Sequence, residues 1–121
     1  MSGKQRASQG GPARALLKAT PAGRAAAQAW LSTPVEHARD VRSELLVKLA
    51  LLDRAGSDSR ALALVQAQLT RLLPVAAALD DQLSATTGFE HTLVLWRRGA
   101  MTATMRFLQD LTAGLDSTRE E

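Results

Sequence analysis

Residues 57–85 read SDSRALALVQAQLTRLLPVAAALDDQLSA, and this stretch decides the fold. Within it Leu62, Val65, Leu69, Leu72, Ala76, Leu79 and Leu83 recur at alternating intervals of three and four residues. That spacing is a heptad seam, the pattern of helices packed side by side with a left-handed twist. Ser57 or Asp58 supplies a capping side chain at its start. Pro74 lies inside the run, on the outward side of its heptad, where it removes the hydrogen bond to the Thr70 carbonyl at a cost of about 3 kcal/mol or a kink. The seam stays in phase beyond Pro74, so the stretch reads as one bent helix rather than two. The seven seam residues form a candidate dimer seam. An intramolecular bundle would use the same spacing, and periodicity does not separate the two.

Outward from the seam, further helices follow. Thr20-Pro21 is a helix start, with threonine as cap and proline pre-organised at the first helical position. This first helix is expected to reach about Leu31, before Pro34 stops it. A second helix is expected from Val35–His37 to Ala55, with Gly56 as its terminator. Its stripe is Val41, Leu45, Leu49 and Leu52. Leu46, Val47, Ala50 and Leu51 make it apolar nearly all round, interrupted by Lys48, and such a helix in a short chain suggests a second subunit. After a break at Thr86-Thr87-Gly88, a fourth helix is expected from Phe89 or Glu90 to Ala113, ended by Gly114. Leu93, Trp96, Ala100, Thr104, Phe107, Leu111 and Leu115 form its apolar face, with Met101, Met105 and Leu108 adjoining. Residues 116–121 read as a frayed polar tail, and residues 1–12 as irregular. Residues 13–19 are bounded like a short strand, although their composition favours helix.

Composition agrees with an all-α fold of about four helices. The chain has 121 residues, the size of one domain, with 22 Ala and 20 Leu but only 6 Val and no Ile or Tyr. The absence of cysteine excludes a disulfide framework and thiolate metal sites. The net charge of +3 is unevenly placed. Lys4, Arg6, Arg14, Lys18 and Arg24 sit in the first 24 residues with no acid, and the remainder is slightly acidic. The early residues lack the apolar core of a signal peptide. Arg71 and Asp80 hold the charge-free apolar stretches to about ten residues, against about 20 for a membrane span. The expectation is a cytoplasmic protein without a membrane segment.

Catalytic constellations do not emerge. There is no strand-led phosphate loop, and His37 and His91 fall on different helices without a thiol or an orienting triad. Adjacent Asp80 and Asp81 point about 100° apart on a helix and suit no shared metal. No enzymatic activity, cofactor or metal is expected. The few aromatics suggest packing anchors or, alternatively, a flat-ligand pocket between helices, with Trp30, Trp96, His91 and Phe107 as candidate lining.

Three motifs in order carry a resemblance. Leu-Leu-Lys-Ala-Thr20-Pro21-Ala22-Gly23-Arg24 is followed by Ala29-Trp30-Leu31-Ser32-Thr33-Pro34, and then by Arg39-Asp40-Val41-Arg42-Ser43-Glu44-Leu45-Leu46-Val47-Lys48-Leu49. This run resembles PadR-family transcriptional regulators, over about residues 13–113. The resemblance implies a last wing strand at 13–19 and a helical domain at 20–115 that mediates homodimerisation and responds to small aromatic effectors. It implies phosphate contacts at Arg14 and Lys18, positions that orient DNA without reading bases. The family's winged helix-turn-helix is otherwise missing, so the chain is expected to be a truncated or mis-started regulator, with only weak, non-specific DNA binding of its own. The alternative is a stand-alone helical interaction module that pairs with full-length relatives.

Overall fold

Local signals begin and end the helices. Thr20 opens α1 (Pro21–Ser32): the Gly23 N–H donates to its Oγ1 at 3.1 Å and the Arg24 N–H to its carbonyl at 2.9 Å. Pro34 follows the end of α1, as its backbone restriction requires. The structure, a computed structural model, describes residues 20–120, of which 89% are helical and none are in strands. The strand expected at 13–19 lies outside the described residues. The chain divides into two compact units, Met1–Ser32 and Thr33–Glu121, so the division falls after α1 rather than before it. All that follows concerns the second unit.

The expected second helix has three pitches. A 3-10 turn, Ala38–Asp40, leads into a π-helical turn, Val41–Leu45, which leads into α2 (Leu46–Arg54). The widened turn carries Val41 and Leu45, the first two of a buried row that continues through Lys48 and Leu52. Lys48 thus takes the place expected for Leu49. Gly56 ends α2 with φ +68°, and the Ser57 N–H reaches back to the Leu52 carbonyl at 2.9 Å while the Gly56 N–H reaches Asp53 at 3.0 Å. This pair of bonds satisfies carbonyls the helix end would otherwise leave open.

The next helix, α3 (Asp58–Ala85), runs 28 residues without interruption through Pro74. Ser57 is its cap residue, although its side chain makes no capping bond. Pro74 and Thr70 are both exposed, so the carbonyl that loses its helical partner faces water. Two residues, Thr86 and Thr87, then connect to α4 (Gly88–Glu120), and such a short link forces antiparallel neighbours. Gly88 takes φ +65° at the turn. The last helix continues past Gly114 to Glu120 instead of stopping at 113. Gly114 is exposed, while Leu111, Thr112 and Leu115 remain partly buried, so side-chain packing outweighs the local cost of about 1 kcal/mol for glycine in a helix.

The heptad seam of α3 is used within the chain. Leu62, Val65, Leu72 and Leu79 are buried, and Leu69, Ala76 and Leu83 partly so. Opposite them α4 buries Val94, Met101 and Leu108, one per heptad. Ala76 and Leu79 share a groove with Met101 and Met105. Full burial of side chains such as Leu72 and Leu108 stabilises by about 1.5–3 kcal/mol each. A second stripe on α3, Ala61, Leu64 and Gln68, is buried toward the segment that leads into α2. By length and composition alone α3 is also apolar enough to cross a membrane, with 33% of the qualifying window buried inside the protein.

Candidate functional site

Two buried polar side chains fix the segment before α2. Gln68 is 0% exposed, and its amide pairs with both backbone groups of Val35: the Val35 N–H donates to Oε1 and Nε2 donates to the Val35 carbonyl, each at 2.8 Å. One side chain thereby satisfies a buried donor and a buried acceptor. Lys48 is 1% exposed; its ammonium donates to the Thr33 carbonyl at 2.5 Å and lies 3.1 Å from Glu44 Oε2. At the surface Arg71 pairs with Glu36 at 3.3 Å. These contacts hold residues 33–45 in a defined path beside α3.

That path makes one wall of a cleft whose other wall is α4. A hollow of about 420 Å³ lies between Trp96, Ala100 and Met101 of α4 and His37, Arg39 and Val75. Farther along, a hollow of about 290 Å³ lies between Ala103, Thr104 and Phe107 and Val41, Arg42 and Leu46. A third, of about 550 Å³, is formed on α4 alone around Leu95, Trp96 and Gly99. The outer surface of α4 is strongly apolar. Phe89 is 74% and Trp96 76% exposed, and Leu93 and Phe107 are each more than a third exposed. Large exposed apolar area is a feature shared by protein, ligand and membrane contact surfaces.

Within the second unit, the structure sets the residues proposed for a ligand pocket apart. Trp30 belongs to α1, in the other unit. Trp96 and Phe107 share a face of α4, but eleven residues of helix put them about 16 Å apart. His91 is turned about 140° from Trp96 at about 100° per residue. Its Nδ1 lies 3.2 Å from the Thr86 carbonyl, an acceptor, so Nδ1 carries the proton and His91 clips the α3–α4 turn. Arg14 and Lys18 lie outside the described residues. The expected dimer seam from Leu62 to Leu83 faces α4 of the same chain, as described above.

The two stripes of α4 exchange roles relative to the sequence reading. The face through Leu93, Trp96 and Phe107 is turned outward, while the adjoining Met101 and Leu108, joined by Val94, form the core and Met105 is partly buried beside them. Arg98 also belongs to the inner side, where its Nε contacts Asp80 Oδ1 on α3 at 2.6 Å. A charge at a seam position, needing an opposite charge on the facing helix, was the available sequence signal. Among the described residues no group of three or more His, Asp or Glu side chains is placed to hold a metal ion. Comparison with known proteins finds no matching family model, no matching curated protein and no matching solved structure.

Proposed function

We propose that this chain is the helical dimerisation and effector-responsive part of a PadR-like transcriptional regulator, acting in the cytoplasm and without catalytic activity. One observation carries the dimerisation: α4 is apolar on two faces about 120° apart, and its own chain buries one of them while leaving Phe89, Leu93, Trp96 and Phe107 on the other exposed. The other is the surface offered to a second copy, so the homodimer forms through α4 and not through the α3 seam. The motif run supports the family reading, since Thr20-Pro21 opens a helix, Pro34 follows its end and the Arg39–Leu49 stretch coils into the next. In the intact regulator such a dimer would space two DNA-reading heads, as a two-fold protein matches two half-sites on DNA. A small aromatic effector in the cleft beside Trp96 shifts that spacing only through unequal affinity for the two arrangements.

Light scattering of the purified chain is expected to give about twice the 12.9 kDa monomer mass. A monomer at micromolar concentration rejects the dimer. DNA binding by this chain is expected to be weak, sequence-independent and lost as salt rises; base-specific binding at physiological salt contradicts the assignment. The family reading expects a helix-turn-helix encoded in frame ahead of Met1. If none is encoded there, the chain is instead a stand-alone partner for full-length relatives.

A further inference from the structure

The outer face of α4 carries an apolar stripe of finite length, and its ends and its pairing of large with small side chains limit how two copies can meet. Phe89, Leu93, Trp96, Ala100, Ala103 and Phe107 follow one another at intervals of four, three, four, three and four residues. At about 100° per residue they occupy a stripe about 80° wide, centred about 120° round the helix from Val94, Met101 and Leu108, and one edge of it lines the cleft beside residues 37–46. When two copies of a helix pair antiparallel about a two-fold axis, facing residues lie equally far from the axis position. The positions 89 and 107, 93 and 103, and 96 and 100 are all centred on 98.

We infer that two copies of this chain pair antiparallel along α4, with the two-fold axis at position 98. This rests on the dimer proposed above and specifies its register. Trp96 then faces the partner's Ala100, Leu93 the partner's Ala103 and Phe89 the partner's Phe107. Two of the three pairs set a large side chain against a small one, the complementarity that seats knobs in holes. Every pair occurs twice, as an isologous interface demands. An axis moved by half a heptad in one direction sets Phe89 and Leu93 against Gly114 and Asp110. Moved in the other, it carries Ala103 and Phe107 beyond the end of α4. Only the axis at 98 matches all six positions.

The surface hollows fit this register. A side chain built at Gly99 would meet nothing within 4 Å, and the hollow of about 550 Å³ there receives the partner's Trp96. The partner's Phe89 falls beside Phe107 and half-exposed Leu46, at the hollow of about 290 Å³. Arg98 sits on the axis position, but its side chain is turned to Asp80 of its own chain, so the two copies do not oppose charges there. Arg97 flanks the axis near its own counterpart. Screening that repulsion makes the dimer tighten as salt rises, the reverse of an ion-pair interface.

Sedimentation equilibrium on four forms of the whole chain tests the register: wild type, Trp96→Ala, Ala100→Trp and the double swap. Each single variant is expected to raise the dimer Kd about tenfold or more, by emptying or overfilling the same layer. The double swap exchanges the two ends of one pair and is expected to return Kd to within about threefold of wild type. Helicity by circular dichroism should be unchanged in all four, because positions 96 and 100 are exposed in the single chain. As the chain has no cysteine, Phe89→Cys with Phe107→Cys gives a second readout. The double cysteine variant should form a covalent dimer on oxidation, and Phe89→Cys alone should not. A monomeric wild type overturns the dimer reading and the register together. A dimeric wild type that is indifferent to Ala100→Trp, not rescued by the swap, or cross-linked by Phe89→Cys alone, overturns the register only.

Discussion

Replacing Gln68 by alanine should destabilise the protein far more than a polar-to-alanine change on a helix ordinarily does. The amide is fully buried and is the partner of both Val35 backbone groups, at 2.8 Å each. Removing it leaves one buried N–H and one buried carbonyl unsatisfied, at about 1–3 kcal/mol each. Freeing a glutamine side chain returns about 1.5–2 kcal/mol of conformational entropy. The two ranges combine to a net loss of about 0–4.5 kcal/mol, centred at about 2, to which the cavity left by the side chain adds; it is readable as a lower urea midpoint in circular dichroism at constant slope. Amide exchange at Val35 should accelerate by at least the same factor. Gln68→Glu adds a test of sign. Its carboxylate still accepts from the Val35 N–H but opposes the Val35 carbonyl, whereas the protonated acid can donate to it. Burial and the missing donor both push that carboxyl's pKa upward, so the folded state holds the proton to higher pH than the unfolded state does. Stability relative to wild type should then be best below the unfolded carboxyl range and fall as pH rises through the raised value. A Gln68→Ala variant within about 0.5 kcal/mol of wild type would refute the two-bond account.

Leu72→Ala, at a fully buried seam position, is expected to cost about 2.5–5 kcal/mol, while the same change at exposed Leu73 stays within about 0.5 kcal/mol. Similar losses at both sites in urea unfolding would show that the seam is misplaced. Gly88→Ala should cost about 1–2 kcal/mol from its φ of +65° alone, since no neighbour crowds an added side chain. A neutral result by thermal denaturation would mean that the turn adopts another conformation. A double-mutant cycle on Asp80 and Arg98, both about half exposed, should return no more than about 1 kcal/mol and shrink further in about 1 M salt. A larger, salt-insensitive coupling would contradict that exposure. Mixed with phosphatidylcholine vesicles and floated on a density gradient, the chain should stay in the lower aqueous fractions. Co-flotation would show that α3 leaves the hairpin for lipid.

The features legible in the sequence were those written in neighbouring residues. Thr20-Pro21 could be read because the cap oxygen and its N–H donor on Gly23 lie three residues apart. Gly56 and Gly88 could be read because positive φ selects glycine, and the α3 seam because seven positions repeat one interval. Lys48 and Gln68 could not, because what buries them is distant. Lys48 interrupts an apolar run and looks like a surface residue until Thr33 brings a carbonyl to it. Gln68 looks like a solvated helix residue until Val35, 33 positions away, offers a donor and an acceptor. Gly114 read as a stop because local propensity favours one, and packing around Leu111 and Leu115 outweighed it. The faces of α4 were ambiguous for a deeper reason. Val94, Met101 and Leu108 repeat at seven, and so do Phe89, Trp96 and Ala103. A helix with two apolar seams has no single direction for periodicity to find, and the larger side chains drew the reading to the wrong face.

That ambiguity also bears on what α3 can be. Its length and hydropathy satisfy the criteria for a membrane span, yet Leu62, Leu64, Val65, Leu72 and Leu79 within it are buried inside the protein, with 33% of the qualifying window buried. In lipid those contacts would be exchanged for acyl chains, which gain little over leucine on leucine. Arg71 would then cost about 2.5–3.5 kcal/mol near the bilayer centre, and Gln68 would have to give up both of its backbone partners. The neighbour α4 carries Arg97, Arg98 and Arg106 and could not follow into the hydrocarbon. An intrachain hairpin satisfies the same apolar residues without these penalties. With α3 taken up in the hairpin, the long apolar stripe that the chain leaves uncovered is the outer side of α4. The antiparallel pairing proposed above would set Ala100 and Ala103 against Trp96 and Leu93, a match of small with large side chains that lipid does not require.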